Sequence, residues 1–128
     1  MLRRLKTVAA SAMLAFAVFM SLGALARTAS AAELFVIGSA HCPYCVAWER
    51  EIGRGYAATA EGQRAPLQHF DIDDGRAARL AHIDEVEVTP TFILVERGRE
   101  IGRIEGYSGG RAFWADLRAL MARLHGAG

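Results

Sequence analysis

Both cysteines of the chain stand two residues apart, in the stretch Ser39-Ala40-His41-Cys42-Pro43-Tyr44-Cys45. The apolar tetrapeptide Leu34-Phe35-Val36-Ile37 runs just before them, and a segment that opens on Pro43 follows. A short unbroken apolar run reads as a strand buried on both faces, as in a parallel sheet. Proline suits the first turn of a helix, where its missing N–H costs nothing. The order therefore places Cys42 at the end of a buried strand and on the first turn of a helix. Free N–H groups and the positive end of the helix dipole favour a thiolate there, so the thiol pKa falls and the sulfur becomes a nucleophile near neutral pH. Cys45, one turn further in, is expected to lie within reach of Cys42 and shielded. A bridge closing so short a loop removes little chain entropy and staples little. The C-x-x-C spacing is better explained as a redox pair than as a structural disulfide.

What precedes this stretch reads differently. Arg3, Arg4 and Lys6 give a basic start, an apolar run from Val8 to Ala26 follows, and small residues gather at Ala29-Ser30-Ala31. This is the pattern of a secretory signal peptide over residues 1–31, cut after Ala31, with Ala26 the second choice. The alternative is an uncleaved anchor helix, because the run is nearly long enough to span a bilayer. Residues 32–128 then form one domain of 97 residues with a modest core. Eleven arginines against fourteen carboxylates give that domain a net charge of −3. Such a balance gives no reason to expect nucleic-acid binding.

Along the domain, Val46, Trp48, Glu49 and Ile52 continue the helix begun at Pro43, and Gly53 and Gly55 predict an end or kink. Residues 54–66 read as a partly ordered connection. Leu67-Gln68-His69-Phe70-Asp71-Ile72 alternates as a second strand. Asp73-Asp74-Gly75 makes a turn, and Ala77, Ala78, Leu80, Ala81 and Ile83 a short helix. Thr91-Phe92-Ile93-Leu94-Val95 is the most strand-like segment. A turn at Arg97-Gly98-Arg99 joins it to an alternating partner over 100–105. Phe113, Trp114, Leu117, Leu120, Met121 and Leu124 then recur at helical spacing up to Gly126, and this stripe is expected to pack on the sheet. A crossover makes the first two strands parallel, and the last two pair antiparallel. The expected fold class is α/β: a four-stranded mixed sheet with helices on both faces.

This order, with the dithiol between strand and helix, resembles the thioredoxin superfamily in a minimal form that lacks an extra N-terminal strand and helix. Val88-Thr89-Pro90-Thr91 resembles the loop in which that superfamily keeps a cis-proline facing the dithiol, and Gly98 and Gly106 are spaced from Pro90 as in thioredoxins. Two departures stand out. Pro43-Tyr44 between the cysteines is the glutaredoxin-like choice, and Val36 occupies the position, six before the first cysteine, where thioredoxins keep a buried acid. His69, on the second strand, is a candidate to serve in its place, against the plainer reading of a solvated strand histidine. A narrower likeness runs through Trp48–Gly53, Tyr56 and Glu61–Leu67 to the small periplasmic thioredoxins of bacterial sulfur-oxidation systems (SoxS-like proteins).

The resemblance implies periplasmic thiol–disulfide exchange with no cofactor beyond the Cys42–Cys45 disulfide. Cys42 attacks a disulfide or modified cysteine on a partner protein, and Cys45 resolves the mixed disulfide. His41 and Pro43 are candidates for tuning Cys42, while Tyr44, Thr89 and Pro90 are candidates for substrate contact, Thr89 by short strand addition. A reductant working outside the cytosol implies a membrane electron donor. The alternatives are a disulfide-forming oxidant of exported proteins, a non-catalytic binding module, and a metal-binding module. Zinc needs four ligands, and Cys42 and Cys45 supply two, with His41, His69, His82 and His125 scattered. Val46 excludes a c-type haem site, which needs histidine there.

Overall fold

The computed structural model describes residues 32–74 and 78–124. The expected leader over 1–31, the turn at Gly75, the helix contribution of Ala77, and His125 with the stop at Gly126 lie outside the described residues. Strand β1 is Ala32–Gly38, and its run of apolar side chains is buried on both faces. The helix that follows begins at Pro43–Trp48, opens into a π turn over Glu49–Gly53, and closes with Arg54–Tyr56; this continuous run is α1. A short helix α2, Ala60–Arg64, leads to β2, Leu67–Asp71. After a single 3-10 turn at Ala78–Leu80 come β3, Thr91–Glu96, β4, Arg99–Glu105, and the last helix α3, Gly110–Met121. The sheet order is β2-β1-β3-β4, with β1 and β2 parallel and the other pairs antiparallel. The four-stranded mixed sheet is as the sequence implies.

Its two faces are covered unequally. Leu34, Val36, Phe92 and Leu94 meet Trp48, Ile52 and Tyr56 of α1 and Phe113, Leu117, Leu120 and Met121 of α3 in the larger cluster. The expected apolar stripe of the last helix is thus core. On the other face Phe35, Ile37, Ile93 and Val95 meet Leu80 and Ile83. The helix expected there is reduced, among the described residues, to the 3-10 turn. Its place is held by Arg79, whose guanidinium lies 5.2 Å from the Phe35 ring and pairs with the Glu33 carboxylate at 2.6 Å.

Helix α1 does not end at Gly53; the break expected there takes the form of the π turn that Gly53 closes, and the helix ends at Tyr56, just past Gly55. A side chain at Gly53 would press on the Glu49 carboxylate and come within 2.8 Å of Trp48 Cζ3. Glycine at this position lets the helix pass over the buried indole, and that packing outweighs its low helix propensity. The connection over 54–66, expected to be partly ordered, holds the end of α1 and all of α2. Thr59 Oγ1 accepts from Gly62 N–H at 3.0 Å and so caps α2, while the buried Tyr56 hydroxyl donates to the Ala65 carbonyl at 3.0 Å. Gly62 lies against the Tyr56 carbonyl with no room for a Cβ.

Beyond the helices, Tyr107 ties α1 to the segment before α3, its hydroxyl donating to Glu51 Oε2 at 2.6 Å. Partial desolvation, and then the carboxylate it donates to, raise the Tyr107 hydroxyl to about 12. A raised folded-state value means that the neutral phenol is favoured by folding. Its contribution is whole below the unfolded value of about 10 and is lost as pH rises from there toward 12. Tyr56, raised by burial and by Glu61, weakens the fold over the same alkaline range, so the comparison must be made between variants. Alkaline denaturation of Tyr107→Phe is expected to show a shallower loss of stability between pH 10 and 12 than the parent chain.

Candidate active site

Chain order brings the dithiol to one end of the sheet. Strand β1 stops at Gly38, the chain turns through Ser39–His41, and α1 starts immediately after Cys42. Cys42 is the N-cap of that helix: its backbone is extended, and its Sγ accepts the Cys45 N–H at 3.1 Å. A sulfur at this position faces donors that α1 cannot satisfy internally, which favours negative charge on it. Cys42 and Cys45 are joined as a disulfide, with Cα atoms 5.2 Å apart. Pro43 stands at the first helical position, so its missing N–H leaves that donor for no one and its fixed φ suits the turn.

Facing the pair is the loop before β3, where the Thr89–Pro90 peptide bond is cis. The Thr89 carbonyl oxygen lies 3.4 Å from Cys42 Sγ. That oxygen is placed to accept the S–H of a reduced Cys42, and a carbonyl there works against the thiolate that the helix end favours. The loop is held by two further bonds: Gly106 N–H donates to the Pro90 carbonyl at 2.7 Å, and Thr91 Oγ1 donates to the Val88 carbonyl at 2.6 Å. Gly106 adopts φ +78, which a glycine reaches without strain and which turns the chain from β4 toward α3.

One sequence expectation needs correction here. Cys45 is not the shielded member of the pair. Cys42 is 7% exposed, packed under the Thr89 carbonyl, whereas Cys45 is half-buried and opens on a groove of about 380 Å³ between α1 and the β1–β2 edge. Gly38 lies beside it with no side chain, and a Cβ there would stand 3.6 Å from Cys45 Sγ, in ordinary contact with it. Trp48, on the helix that carries the pair, lies in the core. It is 1% exposed, with its ring centroid 4.9 Å from Phe92 and 5.8 Å from Phe113, and its indole N–H has no partner among the described residues.

The other candidates fall as follows. Tyr44 is 62% exposed and Val46 59% exposed, giving the helix start an apolar rim beside the disulfide. Thr89 and Pro90 are brought against Cys42, as the loop geometry above describes. His41 is exposed; its backbone N–H donates to Ser39 Oγ at 3.3 Å, and no hydrogen bond from its ring to either sulfur is found among the described residues. His69 pairs in register with Val36, so it lies on the α1 face of the sheet, its ring centroid 6.3 Å from that of Trp48, and it lines the same groove as Cys45. No group of three or more His, Cys, Asp or Glu side chains that could hold a metal ion is found among the described residues. No helix among them is long and apolar enough to cross a membrane.

Comparison with known proteins follows the same lines. A family model described as "Thioredoxin-like domain" matches residues 24–120. The structure is similar to the periplasmic thioredoxin SoxS from Paracoccus pantotrophus in its reduced form, with 36% identity over 72% of this chain and 97% of that one and a TM-score of 0.68. In fold alone it is similar to Trxlp from Edwardsiella tarda, with 24% identity over 79% of this chain and 91% of that one and a TM-score of 0.56. The same holds for a thioredoxin from Malassezia sympodialis, with 16% identity over 70% and 77% of the two chains and a TM-score of 0.57. No curated protein matches the sequence significantly. With the dithiol at a helix start, a cis-proline loop against it and a family match over most of its length, the chain belongs to the thioredoxin-like family and is a thiol–disulfide oxidoreductase.

Proposed function

We propose that this protein works in the periplasm as a reductant of partner proteins, and that its partner carries a disulfide or a modified cysteine. The observation that carries this reading is the likeness to a periplasmic thioredoxin over 97% of that chain, at an identity well above that of the other thioredoxins compared. A basic start and a long apolar run ahead of the domain fit an exported chain. Cys42 is the attacking sulfur and Cys45 the resolving one. Cys42 thiolate attacks the partner's disulfide, one partner sulfur leaves as a thiolate, and a mixed disulfide forms. Cys45 then attacks Cys42 Sγ and releases the second partner sulfur. The partner gains two electrons, and the dithiol closes. Tyr44 and the Thr89–Pro90 loop form the contact surface, with Thr89 offering backbone groups to an extended segment. No further cofactor takes part; a membrane donor returns the electrons, because an oxidising periplasm would otherwise leave the pair closed.

The trapping experiment uses Cys45→Ser in the full chain, expressed in a host with an envelope. The mixed disulfide should persist, and mass spectrometry should name one or a few partners, a sulfur-carrier protein among them if the narrower likeness extends to function. Recovery of many unrelated exported proteins would instead point to a general role. A reduction potential near or below about −200 mV supports the reductant reading, while one near about −120 mV makes the protein a disulfide-forming oxidant.

A further inference from the structure

We propose that His69 takes the proton of Cys45 during resolution, across the open groove the two residues share. The proposal concerns the second step of the exchange chemistry, whose attacking group is a thiol that must first lose its proton. Cys42 sits at the helix terminus and receives the Cys45 N–H. Cys45 stands at the third helical position, not at the cap, and gives its own N–H to Cys42 Sγ, so the helix end does less to ionise it. An unassisted thiol ionises only toward about pH 8.5, which leaves a few per cent as thiolate at neutral pH. A base within reach removes that deficit, and an imidazole is the side chain suited to the task near neutrality.

The placement comes from the sheet. Val36 and His69 are side by side on parallel strands, and both face α1. Val36, Gly38, Cys45, Trp48 and His69 line one cavity that is open to solvent. The other charged residues lining it are on α1: Glu49, Arg50 and Arg54. Glu49 is turned away, its carboxylate lying over Gly53, toward the end of the helix opposite to Cys45. Arg50 is 3.7 Å from Glu51, and neither arginine accepts a proton. On β2 itself Asp71 does not line this groove but the cavity with Ile37, Leu80 and Ile83, and its Oδ1 accepts the Asp73 N–H at 2.8 Å. On β1 the lining is uncharged. His69 is therefore the one group there whose ordinary chemistry is to accept a proton at neutral pH.

The step balances. Cys45 S–H gives its proton to the imidazole, and the thiolate attacks Cys42 Sγ. The Cys42–partner S–S bond breaks as the Cys42–Cys45 bond forms, and the partner leaves as a thiolate that takes a proton from water. The imidazolium returns its proton to solvent through the groove.

The test is a stopped-flow reaction of the reduced full chain with Ellman's reagent, which releases one thionitrobenzoate when Cys42 attacks and a second when Cys45 resolves. His69→Ala and His69→Phe are expected to leave the first release unchanged and to slow the second about tenfold or more at pH 7. The pH profile of the second release should move to higher pH. Added imidazole should restore the rate in His69→Ala, whose groove has room for it. His69→Phe keeps a ring against Trp48, and its unchanged melting temperature separates the effect from loosened packing. Glu49→Gln should resolve at the parent rate. A second release within twofold of the parent in both His69 variants, or a slowing that imidazole fails to restore, would overturn the proposal.

Discussion

Cys42→Ser is expected to abolish disulfide exchange, by about a thousandfold or more, while the folded domain persists. The loss follows from the nucleophile: a hydroxyl at this site is not ionised near neutral pH and cannot attack sulfur, and removing a covalent nucleophile costs nearly all of the catalysis that depends on it. Persistence of the fold follows from two observations. The bridge spans a sequence separation of 3, so the chain-entropy model assigns it only about 2 kcal/mol. In addition, Sγ of Cys42 caps α1 by accepting the Cys45 N–H, and a serine hydroxyl performs that task at least as well. Cys42→Ala makes the control, because it deletes both nucleophile and cap and should cost about 1 kcal/mol more in stability than the serine variant. Insulin reduction measured beside denaturant unfolding checks both halves. Appreciable exchange by the serine variant would show that Cys45 attacks first, in keeping with its greater exposure in the disulfide form.

Most of the sheet was legible because burial on both faces writes itself as unbroken apolar runs. Leu34–Ile37 and Thr91–Val95 carry that signature, and both are central strands. The dithiol was legible as spaced residue types, and the Thr89–Pro90 loop through its resemblance to the thioredoxin loop. What escaped the sequence depends on contacts between distant segments. Gly53 and Gly55 speak against helix in isolation, yet α1 runs through them because Gly53 must clear Trp48. The order in 54–66 rests on the buried Tyr56 hydroxyl reaching Ala65, a bond between residues that look like loop when read locally. The opening beside Cys45 is likewise a property of the fold: Gly38 supplies no side chain to cover it, and only the register of β2 brings His69 to its rim. In each case a tertiary contact overrode a local preference.

Trp48→Ala is expected to be among the most destabilising substitutions in the domain, at about 3–5 kcal/mol, whereas Trp48→Phe should cost far less, under about 1.5 kcal/mol. The indole fills the junction of α1 with the sheet and α3, its ring against Phe92 and Phe113, which themselves stand 4.9 Å apart at a steep angle. Truncation leaves a cavity that two rings and a glycine-lined helix turn cannot collapse to fill. Phenylalanine keeps the aromatic contacts and removes a buried N–H that has no acceptor among the described residues, so part of the lost area is offset by a desolvation penalty no longer incurred. For a domain of this size the alanine variant should melt about 15 °C or more below the parent, or unfold at the growth temperature, and the phenylalanine variant only a few degrees below. The consequence reaches the chemistry, because Trp48 anchors the helix whose first turn carries Cys42 and Cys45. Exchange activity per folded molecule, measured below the melting range, should fall in the alanine variant as the helix start loses its fixed distance to the Thr89 carbonyl, and should be preserved in the phenylalanine variant. Equal melting temperatures for the two variants would mean that the ring contacts, and not only the indole's volume, contribute nothing to holding the helix in place.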